Sequence, residues 1–254
     1  MTGPTIRTTI DDFLGGRLKL EQPATGYRAG VDPVLLAASV DARAGESVLE
    51  LGCGTGAALL SLATRVSGLS LHGVELQPTY ADLCRANAKR NSIPCKVWTA
   101  PIEAMPSDLR ALSFDHVIAN PPYFDAGQTQ ASPSPDRDIA FRGATPVELW
   151  IDAARRRLKP KGWMALIHHI SRLPEVLSAF DERWGSITVR PIAAREGRDP
   201  TRFLLQARKD GRAPFRLTPP LLLHANPTHE RDAEDYRPEI LSVLRDGLAL
   251  PQPD

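Results

Sequence analysis

Val48-Leu49-Glu50-Leu51-Gly52-Cys53-Gly54-Thr55-Gly56 is the stretch whose reading decides the fold. A short apolar run enters a turn with glycine at alternate positions. Ala57 to Val66 then carries Leu59, Leu60, Leu62, Ala63 and Val66 at helical spacing. Glycines between a strand and a helix let the backbone turn tightly and approach a ligand without interference from a Cβ. The alternation continues outward: Leu69 to Glu75 reads as a strand, Thr79 to Arg90 as a helix, Lys96 to Thr99 and Phe114 to Ala119 as strands. A helix over about 146–158 stops at Lys159-Pro160-Lys161-Gly162, a proline–glycine stop signal. Trp163 to His168 is a fifth strand, followed by a short helix from Pro174 to Phe180 and strands near 186–191 and 202–207. The last two leave no room for a helix between them and are expected to pair antiparallel at one sheet edge. The expected class is α/β: a Rossmann-like, seven-stranded, mostly parallel sheet with helices on both faces and an antiparallel edge strand.

Three segments fall out of this reading. Residues 1–46 form a cap before the glycine-bearing strand, with Asp32-Pro33 opening a helix over Val34 to Val40 as an N-cap followed by proline. Residues 47–225 form the main domain. Residues 226–254 form an acidic, partly helical tail in which Ile240, Leu241 and Leu244 can dock on the sheet. Within the main domain, residues 124–145 are a long loop rich in Pro, Ser, Asp and Arg, the length of a lid or a binding loop.

Composition excludes several classes. With 42% hydrophobic and 24% charged residues in 254, the chain is neither disordered nor fibrous. It lacks the ~18-residue apolar run of a membrane span, and Met1 to Arg7 lacks the apolar stretch of a secretory signal, so a cytoplasmic location is expected. Cys53, Cys84 and Cys95 show no C-x-x-C spacing and read as reduced thiols. His168 and His169 end a strand, point to opposite faces and have no third ligand nearby, so no metal is expected. The net charge of +1 hides an asymmetry: residues 137–216 hold 17 Lys and Arg against 9 Asp and Glu. Such a stretch is either a surface for a polyanion such as RNA or a solvated face, and charge alone leaves both open.

The glycine turn calls for a nucleoside cofactor. Glu75 ends the second strand, nineteen residues after Gly56, where an acid can accept hydrogen bonds from both ribose hydroxyls. The spacing G-x-G-x-G differs from the dinucleotide G-x-G-x-x-G, and Glu50 would repel a pyrophosphate while attracting a cation. These features favour S-adenosylmethionine, with Gly52, Gly54 and Gly56 lining it and Glu50 near its charged end. After the third strand Pro101 precedes Ile102 and Glu103, and Ile102 can pack on the adenine face. Asp32 either closes the cap over the amino-acid end of the cofactor or serves as a plain N-cap.

Asn120-Pro121-Pro122-Tyr123 directly follows the fourth strand. A planar amine is a poor nucleophile because its lone pair is delocalised. Accepting its two N–H bonds on the Asn120 side-chain oxygen and the Pro121 carbonyl would fix the nitrogen and aim its lone pair at a sulfonium methyl. Consecutive prolines stiffen the turn, and Tyr123 offers a face on which a flipped-out base can stack.

These residues together resemble the S-adenosylmethionine-dependent amino methyltransferases, and within them the bacterial tRNA (adenine-N6)-methyltransferases of the valine-tRNA type. The resemblance runs from about Gln22 to Leu223. It includes Gly26-Tyr27-Arg28 and Asp32 to Ala37 in the cap, Ala86-Asn87 with Asn91 in the helix after the second strand, Arg137 to Ala140 in the long loop, and Gly197 to Lys209 in the closing hairpin. It implies a class I methyltransferase fold, S-adenosylmethionine as cofactor and tRNA as partner. It also implies Asn120, Pro121 and Tyr123 as catalytic residues, Asn120 beside the cofactor, and Pro122, Tyr123, Arg137 and Arg142 at the substrate. Phe141 stands before Arg142 where the family usually has arginine. Three competing readings remain: a protein glutamine-amide methyltransferase, a DNA adenine methyltransferase, and a non-catalytic RNA-binding protein with this fold.

Overall fold

The computed structural model describes residues 6–123, 145–226 and 235–252. Seven strands build the centre of the sheet: β3 (Ser47–Leu51), β4 (Ser70–Glu75), β5 (Cys95–Thr99), β6 (Phe114–Ala119), β7 (Leu158–His169), β8 (Trp184–Ala193) and β9 (Arg202–Lys209). Their order across the sheet is β8-β9-β7-β6-β3-β4-β5. All neighbours are parallel except the pairs that β9 makes with β7 and β8. The reversed strand thus sits one place in from the edge.

Two short strands, β10 (Arg216–Leu217) and β11 (Leu221–Leu222), add parallel to β8, giving a sheet of nine strands among the described residues where the sequence predicts seven. A two-residue strand carries no period for sequence to reveal. The stop expected at Lys159-Pro160-Lys161-Gly162 lies inside β7. Leu158 pairs with Phe114, and the register shifts before Trp163 pairs with His116. The proline without a donor and Lys161, with φ at 65°, are absorbed in that irregularity.

The two sheet faces have separate cores. One holds α1 (Val31–Ser39) and α2 (Ala57–Arg65), and the other α5 (Val147–Arg157) with Val176 of α6 (Leu173–Ser178) and Leu109 of α4 (Ser107–Arg110). Residues Ala57 to Leu62 of α2 are all buried because the helix packs both on the sheet and against α1, which itself lies on the sheet at β7. Full burial of a leucine contributes about 1.5–3 kcal/mol, so Leu59, Leu60 and Leu62 anchor the helix that follows the glycine turn. Met164 to Ile167 of β7 are likewise all buried, the continuous apolar run of a strand covered on both sides.

Residues 6–46 are more structured than a helical cap. β1 (Thr8–Phe13) and β2 (Leu18–Pro23) form an antiparallel hairpin. The hairpin is fastened to α3 (Pro78–Arg90) by two side-chain amides. Asn87 accepts from the Glu21 N–H at 2.7 Å and donates to the Glu21 carbonyl at 3.0 Å. One turn on, Asn91 treats Lys19 the same way, at 2.9 and 2.8 Å. Residues four apart on a helix and two apart on a strand come into step, so the amides act as a substitute strand for the open edge of β2.

Helix α7 (Pro238–Asp246) buries Ile240 and Val243. It packs on α1 and on the turn at Leu14, within the apolar core that these elements share with the sheet. Among the described residues no helix is long and apolar enough to cross a membrane.

Candidate active site

The site is assembled by strand register. Leu51 of β3 pairs with Val74 of β4 on one side and Ala119 of β6 on the other. The glycine turn, Glu75 and Asn120 therefore leave the sheet side by side at its carboxyl edge, where open α/β sheets bind ligands.

Gly52 and Gly54 both adopt left-handed conformations, with φ of 64° and 52°. A Cβ on Gly52 would stand 2.6 Å from the Trp150 indole, so the turn there is closed by packing. A Cβ on Gly54 would meet nothing within 4 Å, which makes Gly54 the open floor of the site. Gly56 caps α2, and the buried Cys53 packs its sulfur against Gly73.

Two buried carboxyl groups flank this floor. Glu75 is 8% exposed and accepts from the Gly54 N–H at 2.9 Å and the Gln77 N–H at 2.8 Å. Burial raises its pKa, against the pull of those backbone donors. Glu50, 3% exposed, accepts from the Leu59 N–H at 3.0 Å, and burial pushes its pKa well above the usual carboxylate range. Two acids with raised pKa values beside an open glycine floor suit a ligand bearing a ribose and a positive charge, the two features of S-adenosylmethionine. Ile102, half-buried, opens a short 3-10 turn after β5 and packs beside the core that contains Trp150. Glu103 accepts from the Thr145 hydroxyl at 2.8 Å.

The Asn-Pro-Pro-Tyr turn is held from several directions. Asn120 Nδ2 lies 3.5 Å from the Tyr27 hydroxyl. Tyr27 is 51% exposed as a residue, yet burial at its hydroxyl end and the neighbouring Asp32 and Glu50 push its pKa up. Tyr123 donates its hydroxyl to Asp32 Oδ2 at 2.7 Å, and its ring lies 5.2 Å from that of His168. Burial, with the adjoining Asp32, also pushes the Tyr123 pKa up, so the hydroxyl stays a donor at neutral pH.

The Asp32-Pro33 pair predicts an N-cap at Asp32 as one of its two readings. The helix begins instead at Val31 with Gly30 in the capping position, and Asp32 lies in the first turn with its carboxylate bonded to Tyr123 and Arg202. The extra residue before Asp-Pro, Val31, is already helical, which moves the aspartate inside. Arg137 and Arg142 lie outside the described residues. Sequence reading did not single out Tyr27, His168 or Arg202 for the site, since each reaches it from another element.

The basic stretch is divided by the fold. Arg172, Arg195, Arg198 and Arg202 lie at the carboxyl edge. Arg155, Arg156, Arg157, Lys159, Lys161, Arg183, Arg208 and Lys209 lie at the opposite end of the same elements. Many are paired with acids: Arg155 and Arg156 with Asp152, Lys159 with Asp115, Arg183 with Asp181, Arg195 with Asp235. A run in sequence is therefore not one face in space, because each strand carries its two ends to opposite edges. Among the described residues no group of three or more His, Cys, Asp or Glu is placed to hold a metal.

Fold and site together define a class I S-adenosylmethionine-dependent methyltransferase. Residues 48–132 match the family described as "Methyltransferase domain". Solved structures with the same fold include a predicted O-methyltransferase of Agrobacterium tumefaciens, at 24% identity and TM-score 0.69 over 87% of this chain and 98% of that one. A 16S rRNA methyltransferase of T. thermophilus in complex with AdoMet and guanosine aligns at 20% identity and TM-score 0.58, over 81% of this chain and 51% of that one. The tRNA1(Val) (adenine(37)-N6)-methyltransferase of Porphyromonas gingivalis strain W83 is 30% identical, over 93% of this chain and 99% of its own. The Aeromonas salmonicida protein of that name is 28% identical, over 76% and 81%. The chain belongs to the tRNA1(Val) (adenine(37)-N6)-methyltransferase family.

Proposed function

We propose that this chain methylates N6 of an adenine in tRNA, adenine 37 of a valine tRNA being the target its relatives' name gives. The observation that carries the reading is the register Leu51–Ala119, which sets the Asn-Pro-Pro-Tyr turn beside the glycine turn. An amine held by the first turn then lies next to whatever the second turn binds.

S-adenosylmethionine, when bound, supplies a methyl group made electrophilic by its sulfonium. Gly52, Gly54 and Gly56 would line it, Glu75 would accept from the ribose hydroxyls, Ile102 would pack on the adenine, and Asn120 would border it. Glu50 and Asp32 would face its positive end. Asp32 already bonds two side chains, but a carboxylate has about four lone-pair sites and can accept a further donor.

The Asn120 side-chain oxygen and the Pro121 carbonyl accept the two N–H bonds of the target amine and turn its lone pair towards the methyl group. Asn120 Nδ2 faces Tyr27, which leaves the side-chain oxygen for this task. Pro122 is exposed and Pro121 buried, so the turn is rooted on one side and open to substrate on the other. Tyr123 borders the target base. Positioning of this kind can supply ~7–11 kcal/mol of barrier reduction, enough to operate without a strong general base. An anticodon-loop adenine is already largely unpaired, so extruding it costs less than from a duplex. Arg137 and Arg142 would contact the RNA beside it.

The chain divides into a cap over 1–46, a methyltransferase domain over 47–225 and a tail over 226–254, acting in the cytoplasm.

The test is transfer of labelled methyl from S-adenosylmethionine to bulk tRNA of a strain lacking the protein, with release factor and double-stranded DNA as parallel substrates. Label should appear in tRNA as N6-methyladenosine and be absent with Asn120→Ala. Label in release factor instead would make the enzyme a glutamine-amide methyltransferase, and label in DNA would reject RNA as the substrate.

A further inference from the structure

Tyr123 lies over the end of the sheet and is gripped from both of its faces. On one face, Asp32 of α1 accepts the Tyr123 hydroxyl at 2.7 Å through one carboxylate oxygen and bonds Arg202 through the other. On the opposite face, the Tyr123 ring lies 5.2 Å from His168. His168 is in turn stacked on Phe203, at 6.4 Å and an interplanar angle of 14°. Arg202 and Phe203 are consecutive residues at the start of β9, paired in the ladder with His169 and His168. Strand alternation sends neighbouring side chains to opposite faces, so one dipeptide reaches Tyr123 by both routes. The Arg202 and Asp32 side chains are 23% and 15% exposed, shielded enough for the ion pair to hold one geometry.

We propose that Arg202 is a positioning residue. Acting through Asp32, it fixes the Tyr123 ring, and with it the Asn-Pro-Pro-Tyr turn, in the orientation that presents the turn's acceptors to the target amine. Arg202 itself touches neither the amine nor the methyl group. Without its guanidinium the Asp32 carboxylate is free to rotate, and the Tyr123 hydroxyl loses a fixed acceptor. The consequence for catalysis rests on the amine-methylation reading above, whereas the mechanical link between Arg202 and Tyr123 does not.

Two measurements on the full chain test this. The first compares methyl transfer to tRNA by Arg202→Ala, Arg202→Lys, Tyr123→Phe and the Arg202→Ala/Tyr123→Phe double variant. Arg202→Ala should lower kcat about tenfold, the loss of one charge-assisted hydrogen bond, with KM for tRNA within about twofold of wild type. Arg202→Lys should recover part of the loss. Where the hydroxyl is already gone, removing Arg202 should cost little more, so the double variant should fall well short of the product of the two single losses. Multiplicative losses, or a raised KM for tRNA with kcat intact, would reject the link, the latter marking Arg202 as an RNA contact.

The second measurement needs no turnover. With 3-fluorotyrosine at position 123, the fluorine resonance should shift in Arg202→Ala and stay in place in Arg208→Ala, at the far end of the same strand. An unmoved line in Arg202→Ala overturns the proposal even if the wild type methylates tRNA. A shifted line in a protein that methylates none of the substrates upholds the link and sinks the functional reading alone. If Arg202→Ala does not fold, Arg202→Gln carries the same comparisons.

Discussion

Gly52 and Gly54 share a left-handed backbone but not an environment, and the difference predicts opposite phenotypes. At Gly52 a methyl group meets the Trp150 ring at 2.6 Å, so Gly52→Ala should lose ~2–4 kcal/mol of stability through overpacking and backbone strain. At Gly54 the methyl group enters open space, so Gly54→Ala should lose only about 1–2 kcal/mol from backbone strain. It should nevertheless bind S-adenosylmethionine at least about tenfold more weakly, because the methyl rises from the ligand floor. Urea denaturation and calorimetric titration separate the two, and wild-type affinity in Gly54→Ala would show that the ligand does not cross this residue. Glu50 carries a second residue-scale prediction. Its pKa is raised by burial, so over the pH range between its unfolded and folded pKa values the folded state holds a proton that the unfolded chain has released. Stability from this group is full below the ordinary glutamate pKa and is lost as pH rises through the folded value. Glu50→Gln, unable to ionise, should therefore raise the Tm of the ligand-free protein at pH 8 and leave it little changed at pH 4. Its affinity for S-adenosylmethionine should fall about 30-fold or more if Glu50 faces the cationic end. An unchanged Tm at pH 8 would mean that the folded protein ionises Glu50 as readily as the unfolded chain does, so that burial does not raise its pKa.

At the scale of elements, α3 does work that its helical period does not announce. Asn87 is fully buried and also donates to the Thr55 carbonyl at 3.0 Å, so one amide ties the hairpin, the helix and the glycine turn together. Asn87→Ala strands the Glu21 N–H and two carbonyls away from water and should cost ~2–4 kcal/mol. Asn91 is only partly buried, and since water can replace it, Asn91→Ala should cost about 1 kcal/mol. Equal losses in urea denaturation would refute the claim that burial sets the difference. The sequence makes α3 and its asparagines visible, but not their partner. β1, whose pairing with β2 makes the hairpin, is largely exposed and lacks apolar alternation, so its composition does not mark the hairpin whose edge the amides extend. The parallel strands and the helices between them were legible because each carries its own period. The Asn-Pro-Pro-Tyr turn and the glycine turn were legible because their chemistry is contiguous. The Asp32–Arg202 pair spans 170 positions and the Asn120–Tyr27 contact 93, and no local pattern encodes either.

Over the whole molecule, the N-terminal hairpin and the segment from α7 to Leu250 close on each other and brace the helix that carries Asp32. Leu14, Leu18 and Leu20 from the hairpin, Leu35 and Leu36 from α1, and Ile240, Val243 and Leu250 from the C-terminal segment share one core with the sheet. Arg17 bonds the Asp246 carbonyl, and the Leu250 N–H reaches the Ala38 carbonyl at 2.9 Å. Only the helical character of the tail could be read in advance. Its docking partner could not, since the gap it fills exists only once the hairpin turn has folded beside α1. This arrangement separates stability from chemistry. Ile240→Ala should cost ~2–5 kcal/mol, the range for emptying a fully buried aliphatic site, because the cavity opens against α1 and the Leu14 turn. The main contacts of the helix that carries Ile240 are with α1 and the Leu14 turn, so the S-adenosylmethionine Kd at a temperature where the variant is folded should stay within about twofold, as for sites that share no partner. Heat and urea unfolding against calorimetric titration measure the two quantities. A large loss of affinity in a fully folded Ile240→Ala protein would mean that packing of the tail sets the shape of the cofactor site, through α1 and its Asp32, and that the brace belongs to the active site.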